Sequence, residues 1–124
     1  MTLRSSAALL TALVTGLATA VLAAADITGT WTATFDTQLG EQRYTYEFRV
    51  NGSQLTGTAV SNLGKGEIKN GRVDGDTVAF TEILDFQGMP LEISYQGKIV
   101  SADQIDFTRQ IMDITEKLVA KRTK

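Results

Sequence analysis

The chain has 124 residues, 12 basic and 14 acidic side chains, a formal net charge of −2, and neither histidine nor cysteine. This length suits one compact domain, and the near balance of charge excludes the electrostatic footprint of a nucleic-acid or polyanion binder. Without imidazole or thiol, the usual general base near neutrality, the commonest zinc ligands, thiolate nucleophiles and disulfides are all missing, so neither metal nor cofactor is expected.

Met1–Ala25 combines one positive charge at Arg4, an uncharged stretch rich in Ala, Leu and Val, and the small-residue pattern Ala23-x-Ala25. This is the layout of a secretory signal peptide, with cleavage expected before Asp26. The apolar part, Ala7 to Leu22, is short for a bilayer span of about 20 residues, so no membrane span is expected after cleavage. No cysteine follows it to carry a lipid. The reading is therefore a secreted or periplasmic protein whose single domain runs from Asp26 to Lys124 and stands on its core alone.

Beyond Asp26 the dominant hydrophobic period is two, broken at Gly, Asn and Asp. Ile27, Gly29, Trp31, Ala33 and Phe35 alternate with threonines in a first strand. Tyr44, Tyr46, Phe48 and Val50 alternate with Arg43, Thr45, Glu47 and Arg49 in a second, which Asn51-Gly52 turns sharply. Gln54–Ser61 reads as a third strand, Asn62–Gly66 as a loop, Glu67–Val73 as a fourth strand, and Asp74-Gly75 as a tight turn into a fifth, Thr77–Leu84. Asp85–Pro90, which holds the only proline, reads as a longer connection before Leu91–Val100, and Ser101–Asp103 turns the chain into Gln104–Gln110. In the last stretch Ile111, Ile114 and Leu118 keep helical spacing, yet Lys117–Thr123 alternates. An eighth strand is expected there rather than a helix, because seven antiparallel strands leave an exposed edge that closure removes.

Gly71–Thr81 resembles Gly97–Thr108 apart from one inserted residue, and Val50–Gly57 carries a fainter copy. A strand, turn and strand repeated at this spacing marks an all-β meander. The expected architecture is an antiparallel up-and-down eight-stranded barrel, with a flattened β-sandwich as its rival.

Gly29-Thr30-Trp31 and Arg122 together resemble the landmarks of the calycins, the lipocalins and their relatives among fatty-acid-binding proteins and avidins. The resemblance implies that Trp31 closes the narrow end of the barrel and that Arg122, from the last strand, packs across its indole as a cation–π pair. The chain departs from the family in its short length, in lacking a Thr-Asp-Tyr motif and in having no disulfide; with one tryptophan, an avidin-like biotin site, which that family walls with several, is not expected. The order of Ile27–Trp31, Gly52–Gly57 and Gly71–Asp76 is similar to small exported bacterial lipocalin-like modules, which implies a barrel and transfers no activity.

Alternation assigns Trp31, Phe35, Tyr44, Tyr46, Phe48, Val50, Leu55, Val78, Phe80, Leu91, Ile93, Tyr95, Ile99, Ile105 and Phe107 to the inward face. Glu82 falls in phase with Val78 and Phe80, and Arg109 with Ile105 and Phe107. Burying either charge alone costs several kcal/mol. The expected solution is that both sit solvated at the rim. The sharper one is a ligand anchor in which Arg109, with the hydroxyl of Tyr44, Tyr46 or Tyr95, takes the carboxylate of a small apolar ligand, as the likeness to fatty-acid-binding proteins implies. Tyr44 and Tyr46 are expected mainly as packing, although Tyr44 or Tyr95 would stack a sugar if exposed. Asp74-Gly75-Asp76 reads as a turn rather than a calcium loop. Glu82 and Asp85 face opposite sides of a strand, Gly64-Lys65-Gly66 is too short to cradle phosphate, and no nucleophile has a base; no enzyme is expected. The leading expectation is a binding module for a small apolar or amphipathic ligand. Its rivals are a protein-interaction barrel, like inhibitors of secreted metalloproteases with Asp26–Thr28 as an N-terminal arm, and a structural envelope protein.

Overall fold

The computed structural model describes residues 26–123, so the signal peptide expected at 1–25 lies outside the described residues. Eight strands follow one another: β1 Gly29–Thr37, β2 Gly40–Asn51, β3 Gln54–Ser61, β4 Gly64–Asp74, β5 Thr77–Phe86, β6 Met89–Ser101, β7 Gln104–Ile111 and β8 Ile114–Arg122. Each pairs antiparallel with the next, and β8 returns to β1 through Trp31 opposite Arg122 and Thr32 opposite Lys121. The sheet is a closed up-and-down barrel, as expected, and the flattened sandwich is excluded.

Three boundaries differ from the expected ones. The chain reverses in two-residue tips at Asn62–Leu63, Gln87–Gly88 and Met112–Asp113, so β4 starts at Gly64, the connection before Pro90 is short, and β8 starts at Ile114. Gln87, Gly88 and Met112 supply the positive φ that such tips need. The helical spacing of Ile111, Ile114 and Leu118 arises because a tip falls between the first two, with Ile111 directly opposite Ile114 across it.

Three register irregularities interrupt the ladders; one falls between Ile99 and Ser101 in the β6–β7 pair, and the other two keep the alternation in phase with the core. The β3–β4 register shifts between Leu55 and Thr58, and the β4–β5 register shifts between Lys69 and Arg72. Asn70 takes a positive φ in the second, and on either side of it Ile68 and Val73 both stay buried. These are β-bulges that bend the sheet toward closure.

An eight-stranded barrel is just wide enough for side chains to fill it, and here aromatic rings do so. Tyr44, Tyr46 and Phe48 stack along β2 with centroids 5.2 and 5.5 Å apart. Phe80 stacks on Tyr95 at 4.3 Å, and the Phe107 ring meets both edge-on. Gly97 makes this possible, since a Cβ there would stand 2.5 Å from the Phe107 ring. Every residue that alternation assigned inward packs in or against the core, with Val50, Leu91 and Ile99 half-buried rather than buried, and Ala59, Ile68, Val73, Leu84, Leu118 and Ala120 join them.

Candidate functional site

The two ends of the barrel differ. At one end Trp31 is fully buried and donates from Nε1 to the Ile27 carbonyl oxygen at 2.9 Å. The Arg122 guanidinium lies 4.6 Å from the indole centroid and donates to the carbonyl oxygens of Thr28, Ala102 and Asp26 at 2.8, 3.0 and 3.3 Å. The stack implied by the family resemblance is present, and it welds the chain before β1 across this end. Asp26–Thr28 is therefore docked, with Ile27 buried, and is not a projecting arm. The tips here are Gly52–Ser53, Gly75–Asp76 and Ala102–Asp103, small and polar as turn chemistry prefers.

The opposite end opens into a cup of about 490 Å³. Its rim is made by the tips Gln38–Leu39, Asn62–Leu63, Gln87–Gly88 and Met112–Asp113 with the residues flanking them. Leu39, Met89 and Met112 are 62 %, 70 % and 82 % exposed. The walls are Leu63, Leu84, Phe86, Leu91, Ile93 and Ile111, and the floor is Tyr44 with Arg109 and Glu116.

Under that floor lies a buried polar network. The Glu82 carboxyl oxygens accept from Tyr95 at 2.8 Å and from Tyr44 at 3.0 Å. The Tyr95 oxygen in turn accepts from Arg109 at 3.0 Å and lies 2.9 Å from the Tyr46 hydroxyl. Because the Tyr95 proton goes to Glu82, Tyr46 is the donor in that last contact. Arg109 is held by a 2.7 Å ion pair from Nε to Glu116, its register partner on β8, and lies over the rings of Phe35 and Tyr44 at 4.7 and 5.2 Å. Gly66 makes the space for Glu82: a Cβ there would stand 2.7 Å from Glu82 Cγ.

The expectation that Glu82 and Arg109 are solvated at the rim is overturned, since they are 0 % and 3 % exposed. Their cost is met by shared phenol hydroxyls and by Glu116, so neither is a buried charge without a partner. All five residues singled out as ligand-binding, Arg109, Glu82, Tyr44, Tyr46 and Tyr95, meet in this one network. Only Tyr44 and Arg109 reach the cup surface; Glu82, Tyr46 and Tyr95 support them from below. No tyrosine ring presents a free face for a sugar, because Tyr44, Tyr46 and Tyr95 are all buried. Burial pushes the Glu82 carboxyl above the ordinary glutamate range, while the Tyr95 and Tyr44 hydrogen bonds and the Arg109 charge hold it back. Burial likewise raises the hydroxyls of Tyr46 and Tyr95 well above the usual tyrosine value, so they act as neutral donors and acceptors.

Two site residues escaped the sequence reading. Glu116 fell in the stretch shared between helical and alternating spacing. A tip at Met112–Asp113 places it opposite Arg109, and that pairing is the signal that would have found it. Gln42 is inward-facing on β2, opposite Phe35 and two residues nearer the mouth than Tyr44. It is fully buried, and neither its amide oxygen nor its nitrogen has a hydrogen-bond partner among the described residues. Also among these residues, no group of three acidic side chains is placed to hold a metal ion.

Comparison of the chain with protein-family models, with curated proteins and with solved structures returned no match.

Proposed function

We propose that this protein is an exported, lipocalin-like binding module that takes a small apolar or amphipathic ligand into the cup at the open end of its barrel. The observation that carries this reading is the inversion of ordinary turn chemistry at that end. Hairpin tips are usually Gly, Asn, Asp or Ser, yet here Leu39, Leu63 and Met112 occupy tips and Met89 flanks another, all around one concavity. Met112 even takes a φ of 55° at an exposed site, a conformation that favours Gly or Asn. Exposed apolar groups gathered around a cavity are the surface of a binding site. The cup volume lies within the range of about 300–1,000 Å³ found for small-molecule pockets.

The ligand lies in the mouth and not along the barrel axis, which the aromatic column fills. Its apolar part meets Leu63, Leu84, Phe86 and Ile93, and its polar end meets Tyr44 and Arg109. Calycin-like features support this reading: the closed end stacks Trp31 against Arg122, and the opposite end opens.

The test is a fluorescence titration of the purified protein with N-phenyl-naphthylamine, an uncharged apolar probe. Binding is expected, and Leu39→Asp with Met112→Asp should weaken it about tenfold or more by removing apolar contact area while leaving thermal unfolding unchanged, since both side chains are exposed. A probe that does not bind, or binds the double variant equally well, would overturn the assignment.

A further inference from the structure

We propose that the cup selects an uncharged polar head group, an alcohol or a primary amide on an apolar chain, and discriminates against the matching carboxylate. This rests on the ligand-binding reading above and departs from the carboxylate anchor that an inward arginine first suggests. Among the described residues, the only charged side chains lining the cup are Arg109 and Glu116, and they are already paired at 2.7 Å. The carboxylate that Arg109 would take from a ligand is thus supplied by the chain itself. A second carboxylate, that of Glu82, stands one hydroxyl away, since Tyr95 both donates to it and accepts from Arg109. An anionic head group would place a third carboxylate beside one guanidinium in a site largely screened from water, where like charges repel strongly.

An uncharged oxygen meets no such opposition. Arg109 uses Nε and one Nη1 hydrogen on Glu116 and Tyr95, and its remaining N–H groups have the Tyr44 hydroxyl close by as a further protein acceptor among the described residues, fewer acceptors than N–H groups. An alcohol or amide oxygen accepts from these without adding charge. Gln42, buried opposite Phe35 with both amide atoms unpartnered among the described residues, does not line the cup, so the choice rests on Arg109 and its two neighbouring carboxyl groups.

The experiment is displacement of N-phenyl-naphthylamine from the purified protein by decanol, decanamide and decanoate, in parallel on wild type and Glu116→Gln. In wild type near neutral pH, decanol and decanamide should displace the probe at concentrations at least about tenfold below decanoate. In Glu116→Gln, which frees Arg109, that gap should shrink about tenfold. Decane should compete less well than decanol, which separates head-group recognition from simple partition. A decanoate preference in wild type overturns the proposal, and so does an unchanged gap in a folded Glu116→Gln. Should that variant not fold, wild type supplies the same contrast: below about pH 4, where the free acid is protonated, decanoic acid should match decanamide, and a persistent gap there overturns the proposal. A probe that fails to bind at all counts against the ligand-binding reading itself.

Discussion

Glu82 shows how the fold tolerates a buried carboxyl. Gly66 leaves the space for it, two phenols donate to its oxygens, and Arg109 answers it through Tyr95. Its pKa is raised by burial, so the folded protein keeps this proton over a pH range in which the unfolded chain has lost it. That contribution to stability is present below the ordinary glutamate range and is lost as pH rises through it toward the raised value. Glu82→Gln cannot titrate, so denaturant unfolding at fixed ionic strength should show stability moving in the variant's favour relative to wild type as pH rises from about 4 to about 7. A pH-independent difference would mean that folding leaves the Glu82 proton affinity unchanged. Alternation alone made Glu82 and Arg109 legible as inward charges. It did not reveal their burial, because that depends on Glu116, Gly66 and two tyrosines on other strands, contacts that no local pattern carries.

At the scale of elements, the hairpins divide by legibility. Asn51-Gly52 and Asp74-Gly75, at the closed end, carry their turns in their residue types, whereas Asn62–Leu63, Gln87–Gly88 and Met112–Asp113, at the open end, lack a local signal that marks a two-residue tip. The missed tips surround the cup, and two of them carry the apolar residues that local turn rules reject; a broken local rule is expected at functional positions. The internal echo also gains a meaning: Glu82 and Arg109 each directly follow the repeated segment, so two copies of one hairpin place opposite charges at equivalent positions on β5 and β7, offset by two residues in the register through β6, where Glu82 faces Ile93 and Arg109 faces Tyr95. The bulges rest on glycine. Gly57 has a φ of 148°, and a Cβ there would stand 1.8 Å from the Glu47 carbonyl oxygen, a backbone atom that cannot swing aside. Gly57→Ala should therefore cost about 3 kcal/mol or more, from backbone strain and overpacking together. Gly75, at a tip with nothing within 4 Å, supplies the control, and its replacement by Ala should cost about 1 kcal/mol. Equal effects in chemical denaturation would contradict this account of the bulge.

The whole molecule is a barrel sealed at one end and open at the other, and the seal also joins the first strand to the last. The β1–β8 seam runs through Trp31 opposite Arg122 and Thr32 opposite Lys121, followed by Thr123, which donates from its amide to the Thr30 carbonyl oxygen at 2.8 Å. With so short a seam, Arg122 acts as a rivet: it covers the indole and bonds to three carbonyl oxygens. Arg122→Ala should lower stability by about 1–2 kcal/mol through lost stacking and packing, with Arg122→Lys recovering only part because it lacks the planar fork; unaltered melting of the Ala variant would refute the rivet. Barrel, closure and inward face were all readable from alternation and two landmark residues, whereas the position of the cavity was not, because it depends on how completely the aromatic rings fill the axis. The most direct test of the central claim, that ligand enters at the hairpin tips over Arg109, is a two-dimensional amide NMR titration with decanol. The account predicts saturable shifts confined to Gln38–Gly40, Asn62–Gly64, Gln87–Met89 and Met112–Ile114, with Arg109 and Glu116 beneath them and the Trp31 indole unmoved; shifts centred on Trp31 and Arg122, or none at all, would contradict it.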